Sequence, residues 1–380
     1  MAASDVDVTH QKWMTKAIEL AKKGFYTTHP NPRVGCVIVR DDQLIAEGFH
    51  RKTGEGHAEV NAIKAANGDT KNATAYVTLE PCSHQGRTGA CVQALIDAQI
   101  SRLVYAMQDP NPEVMGKGLD RLKKAGVEII GPILEEQSRT LNPGFIKRMT
   151  EGLPFVRVKL AMSLDGRTAM ESGESQWITG SEARFDAQTL RAKSDAIVTG
   201  IGSVMADDPS MTVRIDNNNQ TIAAIKVRQP RRIIMDTALS IPPESKILYP
   251  VEQVSIFCLA DQVEIDNQKV LEQKGINLIF GKAAEEGGID LVAAMEYLAD
   301  EEINEVLVET GSVLAGAFLQ AGLVDEIVVY MAAKLLGSMA RPLFDLPLDT
   351  MDQAINLNLQ SVSQVGQDVK LIFTPHYEEE

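Results

Sequence analysis

The sequence predicts an α/β protein of two consecutive domains, and three observations predict it. Apolar strand-like runs alternate with stretches of helical apolar spacing along nearly the whole chain, the pattern of layered α/β folds. The alternation breaks at "LNPGFIKRMTEGLP", Leu141 to Pro154, where two prolines and two glycines cluster. The chain's 380 residues also exceed the length, about 250–300 residues, at which one core stops growing. The boundary is placed so that 1–148 and 149–380 form separate domains.

From Thr9 to Lys23 the residues Trp13, Met14, Ala17, Ile18 and Ala21 recur at helical spacing and Gly24 offers a stop, predicting the first helix. "RVGCVIVR" and "QLIAEGFH" flank Asp41-Asp42 and read as a hairpin. A helix opening in "GEGHAEVNAI" follows, then the strand "TAYVTLE", a polar loop to Gly89 and a short helix from Cys91 to Ala98. The strand "RLVYAM" and helices near Leu119 to Lys124 and Ile133 to Thr140 complete an α/β/α first half. In the second half the strands are "FVRVKLAMS", "DAIVTG", "RRIIMD", "VSIFCL", "INLIF", "EVLVET" and "EIVVYMA". Helices are expected near Ser181 to Ala192, Leu291 to Ala299 and Ser312 to Ala321. Asp216 to Gln220 reads as a polar loop and Tyr377 to Glu380 as a frayed tail.

Composition narrows the function. No run approaches the roughly 18 apolar residues of a membrane span, and "MAASDVDVTH" lacks a basic-then-apolar signal, so the expected compartment is the cytoplasm with no membrane partner. A net charge of −15 speaks against nucleic acid as a partner. It leaves room for a small phosphorylated ligand, which needs only a few arginines or a helix N-terminus. Four cysteines are too few for a disulfide scaffold. Cys36 and Cys258 sit in apolar runs as fillers, whereas Cys82 and Cys91 sit in a polar loop.

His57 and Glu59 stand two residues apart, and on a helix interior they would face nearly opposite ways. They share a site only at an irregular first turn, which Gly54 and Gly56 allow. The segment "LEPCSHQGRTGAC" supplies Cys82 and Cys91. One histidine and two thiolates give Zn²⁺ three ligands and leave a fourth position for water. A nearby glutamate that is not a ligand can then move a proton to a leaving amine, the pattern H-x-E…P-C-x-x-C of zinc deaminases. Here eight residues, not two, separate the cysteines. A structural zinc site closed by His84 is the alternative. His29 and His50 read equally as half-buried histidines, and Arg87 as a solvated charge.

With that spacing the chain resembles the pyrimidine deaminase of riboflavin biosynthesis, in "THPNPRVGCVIV", "HAEVNAI", "ATAYVTLEPCSHQGRTGAC" and "QDPNP". The resemblance implies that His57, Cys82 and Cys91 bind zinc and that Glu59 is the proton shuttle. It also implies that Asn31, His50, His84 and Arg87 hold the pyrimidine and its ribose phosphate.

In the second half, "VLVETGSVLAGAFLQAGLVDE" reads as a buried strand ending at Glu309 and a helix whose first-turn N–H groups suit a phosphate. Gly316 lies too far along for a dinucleotide fingerprint, so this signal is weak alone. Together with "VKLAMSLDGRTAM", "SGESQWITG" and "GIGSVMADDPSMTVR", it resembles the reductase of the same pathway, whose fold is similar to dihydrofolate reductase and which uses NADPH. From about Lys12 to Lys370 the chain therefore looks like the bifunctional deaminase/reductase. The resemblance implies cofactor contacts at Ala161, Trp177, Ser203, Asp207, Thr237 and the run Gly311, Ser312, Val313, Leu314, Ala315, Gly316 and Ala317. It implies substrate contacts at Lys159, Ser175, Arg191, Met211, Arg214 and Glu309, with Lys159 and Glu309 ordering sugar hydroxyls or supplying a proton. Arg191 and Arg214 are assigned to the substrate phosphate, and a homodimer through the reductase domain is expected. Trp177 reads equally as a packing aromatic, Asp207-Asp208-Pro209 as a plain turn and Arg191 as surface charge. A nucleic-acid-editing deaminase would show two-residue cysteine spacing and a basic face. A noncatalytic zinc protein would have four ligands and no need of Glu59.

Overall fold

The computed structural model describes residues 3–83, 89–112, 114–214 and 227–377. The chain forms two compact units, 1–152 and 153–380.

In the first unit the order is α1 (Ala3–Lys22), β1 (Gly35–Arg40), β2 (Gln43–Phe49), α2 (Ala58–Ala65), β3 (Thr74–Val77), α3 (Cys91–Asp97), β4 (Arg102–Tyr105), α4 (Lys117–Lys124), β5 (Glu128–Ile130), α5 (Glu135–Arg139) and α6 (Pro143–Glu151). The strands make one sheet in the order β2-β1-β3-β4-β5. β1 is antiparallel to both neighbours, and β3, β4 and β5 run parallel. The β1–β2 hairpin closes through Asp41 and Asp42, both left-handed with φ of 51° and 56°, the backbone that a tight two-residue turn requires. Alternation then divides the strands. Val37 and Val39 join Trp13, Met14, Ala17 and Ile18 of α1 on one face, while Cys36 and Ile38 join Ala58, Ala62, Val92, Leu95 and Leu122 of α2 to α4 on the other. Two glycines set how close the helices come: a Cβ on Gly35 would lie 2.0 Å from the Ala17 carbonyl oxygen, and one on Gly48 2.4 Å from the Ala62 nitrogen.

The segment read as a break, Leu141 to Pro154, contains the helix α6. Pro143 sits at its start and left-handed Gly152 ends it; there the proline and glycine punctuate a helix rather than forbid one.

In the second unit the order is β6 (Phe155–Ser163), β7 (Arg167–Ala169), α7 (Ser181–Lys193), β8 (Ala196–Gly200), α8 (Ile201–Asp207), β9 (Arg231–Met235), β10 (Val254–Cys258), α9 (Ile265–Gln273), β11 (Asn277–Phe280), α10 (Leu291–Asp300), β12 (Glu305–Val308), α11 (Ser312–Gln320), β13 (Glu326–Ala332), β14 (Arg341–Pro342), β15 (Asn356–Val365) and β16 (Asp368–His376). Among the described residues the main sheet runs β11-β10-β9-β8-β12-β6-β13-β16-β15. Neighbours from β11 to β13 are parallel, and β16 and β15 close that side antiparallel. Val156, Val158 and Leu160 face α10 and α11 through Met295, Leu298 and Phe318. Ile197, Leu307 and Val328 face α7 through Ala183, Ala187 and Leu190. Arg157 and Lys159, which alternate with those valines, therefore lie on the α7 side of β6.

Tyr377, read as part of a frayed tail, is tied down. Its hydroxyl donates to the Val324 carbonyl and accepts from the Val324 N–H, each at 3.2 Å. Residues 378–380 and the expected loop at 216–220 lie outside the described residues. Among the described residues, no helix is long and apolar enough to cross a membrane.

Candidate active sites

The first site answers how a histidine and a glutamate two residues apart can cooperate. His57 is the N-cap of α2, with extended backbone (φ −67°, ψ 169°), and Glu59 is in the helix's first turn. The entry is pinned by Asn61, whose side-chain amide donates to the Phe49 carbonyl (2.9 Å) and the Gly56 carbonyl (2.8 Å). Cys91 is the first residue of α3, and its N–H donates to the Cys82 sulfur at 3.4 Å.

The ligand atoms of His57, Cys82 and Cys91 all lie within 4.8 Å of one another. His57 Nδ1 stands 3.6 Å from Cys82 Sγ and 3.1 Å from Cys91 Sγ. Tetrahedral Zn²⁺ with ordinary bond lengths would set nitrogen and sulfur about 3.6 Å apart, so one pair matches and the other has slightly to open. The electrostatics favour a cation too. The Cys91 thiol's hydrogen bond lowers the Cys82 thiol, against the effect of burial. Cys91 is pushed far up, by its bond to Cys82 and by burial. One thiolate thus forms readily and opposes a second, a conflict that a bound cation relieves.

Glu59 is 3% exposed, and burial first, then the charge of Cys82, raises its carboxyl to about 6. His50 Nδ1 lies 3.2 Å from the Gly56 carbonyl, so that nitrogen donates, and Nε2 accepts from the Asn31 amide at 3.2 Å. Burial lowers the pKa of His50, which favours the neutral ring. The His50 and His57 rings meet edge-on with centroids 5.4 Å apart. Asn31 and His50 are therefore brought to the cluster. His84, including its reading as a fourth ligand, and Arg87 lie outside the described residues. Arg33 was missed as a support: its N–H donates to the Asn142 side chain (2.7 Å) and its guanidinium to the Leu141 carbonyl (2.7 Å), fixing the loop that carries Asn31. Only its place inside "THPNPRVG" hinted at that.

The second site centres on Glu309, just past β12 and 8% exposed. Arg191 of α7 grips it with a forked pair, Nε to Oε1 at 2.5 Å and a terminal nitrogen to Oε2 at 2.9 Å. Lys159 Nζ of β6 stands 4.0 Å from Oε2. Burial pushes the Glu309 pKa up, but the charge and hydrogen bonds of Arg191, then Lys159 and Arg214, bring it down to about 2. Burial lowers Lys159, which Glu309 partly offsets. Arg191 is thus not plain surface charge, and with Nη1 also donating to the Thr212 carbonyl (3.2 Å) it keeps two further N–H donors. Arg214 is exposed; its guanidinium donates to Ser210 Oγ at 3.1 Å and its backbone N–H to Gln188 Oε1 at 2.9 Å.

Around this triad the structure joins some expected contacts and separates others. Ala161 lies two residues beyond Lys159 on β6 and so on the same face. Gly311 caps α11 without any side-chain cap, and its N–H donates to Ser203 Oγ at 3.2 Å. A Cβ on Gly311 or Gly202 would meet nothing within 4 Å, and Val313 is exposed. An open, uncapped helix start fits the anionic phosphates of a nucleotide cofactor. Trp177 is 62% exposed, with the Arg184 guanidinium 4.4 Å from its ring, so it is a loop aromatic rather than a core one. Ser175 is half-buried in the same loop, Asp207 ends α8, and Thr237 follows β9 with its carbonyl accepting from Leu259 at 3.0 Å. Leu314 packs over Gly200. The side chains of Met211 and Ala315 are buried in the two cores, and Gly316 abuts the Asp345 backbone, so any contact these three make with a ligand is through the backbone. Met211 also has a left-handed backbone, with φ of 47°.

Comparisons with known proteins match both units. Residues 7–107 fit the cytidine and deoxycytidylate deaminase zinc-binding region, and residues 154–371 the RibD C-terminal domain. The riboflavin biosynthesis protein RibD of Escherichia coli (strain K12) is 47% identical over 364 residues, covering 94% of this chain and 97% of that protein. Among solved structures, Acinetobacter baumannii RibD (form 1) superposes with a TM-score of 0.89 at 45% identity, covering 98% of this chain and 100% of that one. A diaminohydroxyphosphoribosylaminopyrimidine deaminase/5-amino-6-(5-phosphoribosylamino)uracil reductase from Thermotoga maritima superposes with a TM-score of 0.85 at 30% identity, covering 97% and 99%.

Proposed function

Because the chain belongs to the RibD family of bifunctional deaminase/reductases of riboflavin biosynthesis, with its zinc-binding and NADPH-using domains both present, we propose which residues carry its two reactions. The substrates are those for which the Thermotoga maritima relative is named: a diaminopyrimidine ribosyl phosphate, deaminated in the first unit, and the resulting aminouracil, whose ribose is reduced in the second.

The observation that carries the first assignment is the convergence of His57, Cys82 and Cys91 beside buried Glu59. These three residues would hold Zn²⁺, which when bound supplies an acidified water and an electrophile. Glu59 accepts the water's proton at its carboxylate and returns a proton to the departing nitrogen. A carbon–oxygen bond forms, the carbon–nitrogen bond breaks, and ammonia leaves. Burial raises the Glu59 carboxyl above the ordinary carboxylate range, which eases its uptake of a proton. Asn31, steadied by His50, presents its remaining amide atoms to the base, and His84 and Arg87 serve the phosphate.

In the second unit, NADPH supplies the hydride. Gly311 to Ala317 and Ser203, with Ala161, Trp177, Asp207 and Thr237, would hold the cofactor, the open start of α11 suiting its phosphates. Lys159 and Glu309 order the opened sugar, and Arg191 keeps Glu309 ionised and in place. Arg214 takes the phosphate, with Ser175 nearby. Subunits pair through the exposed edge strand β15, where Leu357, Leu359 and Val362 face outward. The compartment is the cytoplasm, in keeping with four free cysteines.

The test is a split assay on the purified, zinc-loaded chain: ammonia release from the diaminopyrimidine and NADPH oxidation with the aminouracil. Both should proceed, Cys82→Ser should abolish only the first, and loss of both in that variant would count against the assignment.

A further inference from the structure

The carboxylate of Glu80, two residues before Cys82, is 2% exposed, and no cation pairs with it among the described residues. Four backbone N–H groups satisfy it instead. Oε1 accepts from Gly118 (2.9 Å) and Leu119 (3.3 Å), and Oε2 from Gly116 (2.9 Å) and Asp109 (3.3 Å). Gly116 is the N-cap of α4, which has no side-chain cap of its own. Glu80 therefore caps α4 from the segment that follows β3. A buried carboxylate is expensive unless it is so bonded, and Gly116, left-handed at φ 77°, lacks the extended backbone from which a side chain caps its own helix. What the remote cap adds is a link between α4 and the chain entering Cys82. The fit is close: a Cβ on Gly118 would lie 2.1 Å from the Pro81 carbonyl oxygen.

The same helix reaches the other side of the cluster. Arg121 donates to the Ser83 carbonyl (3.3 Å) and to Gln93 Oε1 (2.5 Å). Ser83 follows Cys82, and Gln93 is two residues past Cys91. Helix α4 thus touches the chain before and after Cys82 and just after Cys91. Where two-residue spacing would fix both sulfurs through one turn of backbone, eight residues intervene here and α4 spans the gap.

We propose that Glu80 is a positioning residue for zinc binding, acting through α4, with Arg121 as its weaker counterpart. The inference rests on His57, Cys82 and Cys91 being the zinc ligands, and its test keeps the two apart. The zinc-loaded full chain is titrated with a colorimetric chelator, and affinity and release rate are compared for wild type, Glu80→Gln, Arg121→Ala and Cys82→Ser. The glutamine amide turns one N–H pair against N–H donors, and zinc affinity should fall about tenfold or more, the usual cost of losing an outer support. Arg121→Ala, exposed and harmless to folding, should release zinc about twofold faster. Wild-type affinity in Glu80→Gln overturns the proposal even if its melting temperature drops, because the residue is then only structural. Should Glu80→Gln not fold, an unchanged release rate in Arg121→Ala overturns it. If Cys82→Ser holds zinc as wild type does, the ligand assignment fails and takes the proposal with it.

Discussion

The two sites are assembled in opposite ways. In the first, the reactive groups come from two short segments, 57–59 and 82–91, and helix starts aim them at one point. In the second, Lys159, Arg191 and Glu309 come from β6, α7 and β12, and meet because β12 lies beside β6 and α7 packs across them. A site held by local backbone geometry should lose chemistry when one group changes and keep its fold. A site held by a buried charge triad should lose fold and chemistry together.

The sharpest test of that contrast is Glu59→Gln. Deamination should drop by at least about a hundredfold, since a placed acid–base group contributes 10² to 10⁴, with zinc retained and reductase activity unchanged. Near-normal ammonia release with zinc in place would remove Glu59 from proton transfer.

Glu309→Gln should behave differently, leaving Lys159 and Arg191 buried without their counter-ion and destabilising the second unit by about 3 kcal/mol. The reading is a urea transition for that unit, with the first unit's unmoved. A pH series sharpens it. The folded-state pKa of about 2 lies below the ordinary 4.5, so this stabilisation is complete above pH 4.5. It is lost as pH falls toward 2, because the unfolded chain takes up the proton first. Wild type should lose on the order of 3 kcal/mol in that window and Glu309→Gln should not; parallel acid curves would argue against the triad.

Arg214→Ala should raise the reductase KM for substrate about tenfold and leave that for NADPH alone, with lysine restoring only part because it lacks the fork. A defect in NADPH binding that vanishes with NADH would move Arg214 to the cofactor. The smallest expected effect is none: a chain starting at Pro154 should fold and oxidise NADPH at the full-length rate. An insoluble fragment would show that the second unit needs the first.

Legibility followed the same divide. The hairpin at Asp41-Asp42, the first helix and the His57–Cys82–Cys91 set are local patterns, and sequence displays local patterns directly. The pairing of Arg191 with Glu309 depends on strand order, which no spacing reveals. Met211 and Ala315 show a second limit: a matched motif gives a position along the chain but not how deeply its side chain is buried. Edge elements were missed for want of an apolar signal. β15, "NLNLQSVSQV", is exposed nearly throughout, and α9 buries only Leu271. Proline and glycine misled at α6, where they delimit a helix.

The Lys159–Arg191–Glu309 triad has a kinetic consequence. Two cations and one anion leave a single, largely buried positive charge in a chain carrying −15 overall. Phosphorylated ligands therefore approach against a repulsive field and feel attraction only at close range. Added salt shortens the Debye length to about 10 Å at 0.1 M, damping the distant repulsion while leaving the buried charges almost untouched. Association of substrate and NADPH should consequently quicken with moderate ionic strength, the reverse of enzymes that steer anions in from afar.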